Sequence, residues 1–275
     1  MGWAGDSVLV RLGVRKSNVF AAMLVNFVIS ASCVWIYLLS SSSFDFLKSP
    51  AMFYFLASGC LQPLFARALF YEGLTRIGVS RAGPLRGAEP LFATIIAVTL
   101  LHERPTLTVY LGTTLIMGSL WLISGTRSEG AKWRLFDAAL PLGAGLVSAI
   151  SQSLRKQGLK ILPSPYVATA IVTSTSLAIL VMFALVTRRT NLFRVKRESL
   201  PFFVSAGFVA VSAQISNFIA LGQAELSVII PLLNTTPLFA VLLSGLFLRS
   251  VETVTPRVVF GALLMVSGVA LITLR

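Results

Sequence analysis

The chain has 275 residues, 56% of them hydrophobic and only 12% charged, with a mean hydropathy of +0.85; these values exclude a soluble globular domain. The formal net charge of +13 would point to nucleic acid in a soluble protein. Here Lys and Arg sit mainly between apolar runs, so membrane topology accounts for them and no nucleic-acid partner is expected.

Apolar runs of about 20 residues, the length needed to cross roughly 30 Å of hydrocarbon, recur along almost the whole chain. Residues 1–13 read as the second half of a helix. They do not read as a signal peptide, because they contain Asp6 and lack both a basic leader and a small-residue cleavage site. Complete spans are expected at 18–39, 51–76, 77–101, 106–124, 135–157, 166–187, 200–221, 227–248 and 255–274. The fold class is therefore an all-α polytopic membrane protein with nine full spans and a partial first one. Cys33 and Cys60 fall inside spans without a CxxC spacing and supply neither a disulfide framework nor a metal site. Basic residues concentrate in one set of alternate connections, which puts the loop 126–134 in the cytoplasm and the C-terminus outside.

One stretch organises the rest. Pro84-Leu85-Arg86-Gly87-Ala88-Glu89-Pro90-Leu91-Phe92-Ala93 recurs in altered form as Pro231-Leu232-Leu233-Asn234-Thr235-Thr236-Pro237-Leu238-Phe239-Ala240. The prolines Pro84, Pro90, Pro231 and Pro237 each remove a backbone donor, so both helices are expected to be kinked. The freed carbonyls are tolerable in hydrocarbon only where protein or a water-filled cavity satisfies them. Ser58 corresponds to Ser205, and Glu103-Arg104-Pro105-Thr106 resembles Glu252-Thr253-Val254-Thr255. The chain thus divides into a first repeat at 1–125, a polar basic linker at 126–134 and a second repeat at 135–275. Five helices per repeat, an odd number, give the repeats opposite orientations in the bilayer, an inverted repeat with its binding site near the midplane.

With the duplicated proline helix, the stretches Ala68-Leu69-Phe70-Tyr71-Glu72-Gly73-Leu74, Pro90-Leu91-Phe92-Ala93 and Leu100-Leu101-His102-Glu103-Arg104 resemble EamA-type members of the drug/metabolite transporter superfamily. The resemblance covers nearly all of the chain. It implies a ten-helix secondary transporter, an exporter of amino acids or other small metabolites, with a cavity between two repeats, in the inner (plasma) membrane of a bacterium.

Candidate residues follow from polarity inside spans. Glu89 falls at the middle of the span 77–101, where a carboxylate costs about 2.5–3.5 kcal/mol unless it pairs or reaches water. Arg86, three residues earlier on the same face, is its expected partner. Arg67 lies well inside the span 51–76 and corresponds to Gln214, so that face is polar in both repeats. Tyr71 can stack and hydrogen-bond; Asn217, Asn234 and Thr236 add neutral polar groups in the second repeat. The substrate-binding set is therefore Arg67, Tyr71, Arg86, Glu89, Gln214, Asn217, Asn234 and Thr236, which suits a zwitterion. Glu89 and Asp6 are the candidates for coupling to a proton. Glu103, beside His102 at a span end, is assigned to topology or gating. A single histidine, the absence of GxSxG and the absence of paired intramembrane aspartates leave no catalytic residues, no metal site and no cofactor to assign. Two alternatives stay open, a non-transporting assembly subunit and a flippase for a lipid-linked substrate. The expected partners are a small-molecule substrate, the lipid bilayer and a proton, with the protein a monomer or homodimer.

Overall fold

In hydrocarbon every backbone N–H and C=O needs a partner from its own segment, so apolar runs of this length fold as helices and break only where a donor is missing. The computed structural model describes residues 2–14, 17–41, 44–77, 82, 85–124, 135–236, 238–239 and 256–274, and within them all regular structure is helical. The helices are α1 Gly2–Val14, α2 Val19–Ser41, α3 Ala51–Cys60, α4 Ala66–Ile77, α5 Glu89–Thr99, α6 Leu107–Ser124, α7 Ala139–Ile161, α8 Pro165–Val186, α9 Leu200–Gln223, α10 Leu226–Leu233 and α11 Pro256–Thr273. The linker 126–134, Pro84 and Pro237 lie outside the described residues.

Among the described residues, four helical stretches are long and apolar enough to cross a membrane: Val19–Ser40, Ala51–Phe70, Pro165–Val186 and Leu200–Gln223. Glu89–Thr99, Leu107–Leu122 and Phe260–Thr273 are apolar but shorter. α7 has the length, but Arg155, Lys156 and Lys160 near its end lower its hydropathy. Ile36 and Leu39 on α2, and Leu185 and Val186 on α8, are large, apolar and exposed, as side chains facing lipid are.

Three of the expected continuous spans are interrupted. The span 51–76 is split by a π-helical segment at Leu61–Phe65, with Gln62 in extended backbone (φ −135°, ψ 134°); Pro63 cannot donate to the turn before it. The span 77–101 turns at Gly87–Ala88 and resumes at Glu89. Glu89 is therefore the first residue of α5 and not the middle of an unbroken helix. The span 227–248 ends its first helix at Leu233 and turns at Asn234–Thr235. Gly87–Ala88 and Asn234–Thr235 occupy matching places in the two copies of the proline stretch, so the repeats break at the same point.

The chain forms two compact units, each drawing helices from both repeats. In the first, α9 packs against α1, α2 and α8, and α8 packs against α2 and α3. Local sequence starts and ties these helices. Asn18 caps α2 by accepting from Ala21 N at 2.8 Å, and Ser164 caps α8 by accepting from Val167 N, with Pro165 at the first helical place. The Ser199 hydroxyl donates to Gly13 O at 2.8 Å, closing the end of α1.

In the second unit α6 lies along α11, and α10 against α5. Gly112 faces both Gly268 and Ile272 while Gly268 faces Ile116, so α6 and α11 run antiparallel. A Cβ on Gly112 would come 2.6 Å from Gly268 O, and one on Gly268 2.7 Å from Gly112 O. Only glycine permits that approach. Around it Val109, Ile116, Leu120, Met265 and Ile272 form a buried core.

Candidate functional site

The two breaks in the proline stretches handle the same chemical problem differently. In a continuous helix the N–H of Pro90's position would bond Arg86 O, and that of Pro237's position would bond Leu233 O. At the second break the Thr236 hydroxyl donates to Leu233 O at 2.6 Å, the Thr235 hydroxyl to Leu232 O at 2.7 Å, and Asn234 Nδ2 to Ile230 O at 3.0 Å. The break seals itself. At the first break Gly145 of α7 lies alongside: a Cβ there would sit 3.1 Å from Arg86 O and 3.4 Å from Glu89 N. Local side chains that seal the second break are replaced here by the approach of another helix.

That approach builds a polar cluster inside the second unit. Arg86 is half-buried; its Nη2 donates to Ser148 Oγ of α7 at 3.3 Å, and its Cζ lies 5.1 Å from the centre of the Phe70 ring. Gln62 Nε2 donates to the same Ser148 oxygen at 3.3 Å. With both lone pairs engaged, the Ser148 hydroxyl keeps its own hydrogen to donate. Gln62 Oε1 is buried with no hydrogen-bond partner among the described residues. Glu89 is 8% exposed at the start of α5, where the helix dipole favours a carboxylate. Cation, carboxylate, hydroxyl and carboxamide thus gather at a place where two helices are interrupted.

Of the residues expected from sequence, Arg86 and Glu89 come together at this break. Arg67 and Tyr71 lie on α4 in the same unit; Arg67 is half-buried, and the Tyr71 side chain lies outside the described residues. Asn234 and Thr236 also belong to this unit but turn back onto their own helix. Pro90 lies in the first turn of α5, and Pro231 lies inside α10. Gln214 and Asn217 are on α9, and Asp6 on α1, in the first unit. Asn217 is buried with Oδ1 unpartnered among the described residues, and Asp6 is buried and accepts from Asn26 Nδ2 at 3.0 Å.

Three side chains were not singled out from sequence, Gln62, Ser148 and Arg155. Arg155 is 4% exposed inside α7; its Nε donates to Ser58 Oγ at 3.0 Å and its Cζ lies 5.5 Å from the Phe218 ring centre. Lys156 beside it donates to Leu221 O at 2.7 Å near the end of α9, where a cation complements the helix dipole. Pro63 in an apolar run was the available signal for Gln62; Arg155, two residues from the end of the expected span 135–157, carried none.

Glu103 has a definite role. Its carboxylate accepts from Leu226 N at 2.8 Å, Ser227 N at 3.1 Å and the Ser227 hydroxyl at 2.8 Å, which caps the start of α10. Another link joins the repeats at the surface: Arg76 contacts Glu72 at 2.8 Å and Asp137 at 3.3 Å. Glu72 first, then Asp137, raises the guanidinium above its ordinary pKa.

Comparisons with known proteins agree with this architecture. A family model described as the EamA-like transporter family matches residues 1–125 and 137–274. A solved crystal structure superimposes with a TM-score of 0.79 at 13% identity, covering 99% of this chain and 95% of that one, a likeness of fold alone. No curated protein matches the sequence.

Proposed function

From the chain's membership of the EamA-like transporter family, whose model matches both of its halves, we propose that this multi-pass membrane protein is a secondary active exporter of small zwitterionic metabolites such as amino acids. It works by alternating access between two inverted five-helix repeats, 1–125 and 135–275, joined by the linker 126–134, in the plasma membrane of a bacterium. The observation that carries the reading is the cluster at the first break. A buried carboxylate, Glu89, and a half-buried guanidinium, Arg86, lie three residues apart at the interruption of a helix, and discontinuous helices are where transporters of inverted-repeat design place substrate. The antiparallel contact of α6 with α11 supports the inverted relation of the repeats.

In this reading Arg86 takes the substrate carboxylate, and Arg67 and Tyr71 on α4 of the same unit complete the binding set. Glu89 contacts the ammonium group or exchanges a proton. The test is counterflow of labelled amino acids in proteoliposomes. Arg86→Ala is expected to lower kcat/KM for amino acids about tenfold to a hundredfold, the worth of a charge-assisted hydrogen bond. Undiminished transport by that variant, or no amino-acid transport by the unaltered chain, rejects the reading.

A further inference from the structure

We propose that Gln62 is a substrate-contacting residue, its carboxamide oriented by Ser148 so that Oε1 receives an N–H of the substrate ammonium group while Arg86 holds the carboxylate. This rests on the zwitterion reading above and adds the group that tells an amino acid from a simple carboxylic acid.

Three observations lead there. First, Gln62 stands in extended backbone within a membrane-spanning stretch, between α3 and α4. Non-helical backbone at membrane depth persists where it is buried in protein or lines a polar cavity. Second, its two amide atoms are treated unequally. Nε2 is bonded to Ser148, whereas Oε1 is buried and without a partner among the described residues. A buried acceptor left open in the resting protein is costly to folding and of use to an incoming donor. Third, the serine that orients Gln62 is the one that receives Arg86. The carboxamide and the guanidinium are therefore positioned by one atom, and they offer opposite polarity, an acceptor and a cation. An α-amino acid carries the complementary pair on adjacent atoms.

The chemistry of the alternatives is less well matched. Glu89 alone would bind any cation, and Arg86 alone any carboxylate. A neutral acceptor selects for N–H without placing a second carboxylate beside Arg86.

The experiment compares free amino acids with matched carboxylic acids lacking the amino group and with N-trimethylated analogues, which keep the charge but carry no N–H. Proteoliposomes hold the unaltered chain, Gln62→Met, Gln62→Glu or Ser148→Ala. The expected result is that Gln62→Met raises KM for free amino acids at least tenfold and leaves the deaminated acids unchanged. Gln62→Glu, whose carboxylate pairs internally with Arg86, raises KM for both classes, and Ser148→Ala weakens both classes because it frees Arg86 as well. In the unaltered chain the trimethylated analogues should show a KM at least tenfold above the free amino acids, a reading that needs no variant to fold. Equal KM for free and trimethylated forms, or an equal change of both substrate classes in Gln62→Met, overturns the role of Gln62 while leaving amino-acid transport intact. Absence of amino-acid transport in the unaltered chain removes both proposals together.

Discussion

Each unit of the molecule holds an arginine that leans on a phenylalanine ring and donates to a serine hydroxyl. Arg86 pairs with Phe70 and Ser148, Arg155 with Phe218 and Ser58. Their settings differ. Arg155 is in the interior of the unbroken α7, with both of its partners at 0% exposure and Phe55 edge-on to Phe218 at 6.3 Å. Arg86 is half-buried, at a turn between helical segments, with Glu89 three residues on. An identical set of side chains is thus packed shut in one place and left beside a backbone interruption in the other. Burial by continuous helix makes a guanidinium part of the core; a break next to it leaves room for a ligand.

The contrast predicts opposite phenotypes. Arg155→Ala removes the contact with Phe218, opens a cavity and leaves the buried Ser58 hydroxyl without its donor. A loss of roughly 3–5 kcal/mol in stability is expected, seen as a lowered melting temperature in detergent, with KM for substrate unchanged in whatever protein survives. Arg86→Ala should do the reverse, a tenfold or greater fall in kcat/KM with a melting temperature close to that of the unaltered chain. If Arg86→Ala unfolds the protein and Arg155→Ala only slows transport, the assignment of core and site must be exchanged.

A smaller effect is expected at Glu103, which tests whether helix ends near the break are structural. Glu103→Gln keeps one acceptor oxygen but loses the charge that faces Leu226 N and Ser227 N. The expected cost is about 1–2 kcal/mol of stability, in the range for charge-assisted hydrogen bonds and helix N-terminal carboxylates, measured by denaturation in detergent. A larger fall in transport than in stability would make Glu103 part of the conformational cycle and extend the functional region beyond Arg86.

How much of this could be read in the sequence depends on the range of each interaction. The duplicated proline stretch displayed both breaks, because a missing N–H is a property of one residue, and it displayed Arg86 and Glu89 because charge inside an apolar run is local. The split at Gln62 needed the backbone itself: Pro63 signalled a weakness, and only the structure shows extended φ and ψ at the residue before it. Ser148 lies 86 residues from Gln62 and Ser227 lies 124 from Glu103, so neither pairing has a local signature. Arg155 lies two residues from the end of the expected span 135–157, where a cation has no local mark of burial, while the helix itself runs on to Ile161. The burial of Arg155 comes from Ser58 and Phe218, which belong to other helices. Asn234 and Thr236 were read as ligand-facing from their polarity, yet their hydrogen bonds run three and four residues back along their own chain, a satisfaction that composition does not distinguish from a binding role.

Those back-bonded residues supply the finest test of the contrast between a sealed and an open break. Thr236→Val keeps the shape of the side chain and removes the hydroxyl that covers Leu233 O, the carbonyl for which Pro237 offers no donor. If sealing is its whole task, stability falls by about 1 kcal/mol, the net worth of one hydrogen bond, and KM for amino acids stays where it was. A clear rise in KM without loss of stability would mean that the Thr236 hydroxyl turns from Leu233 O toward substrate during transport. The second break would then stand with the first as part of the binding site, and self-sealing would describe only the resting state of the second proline stretch.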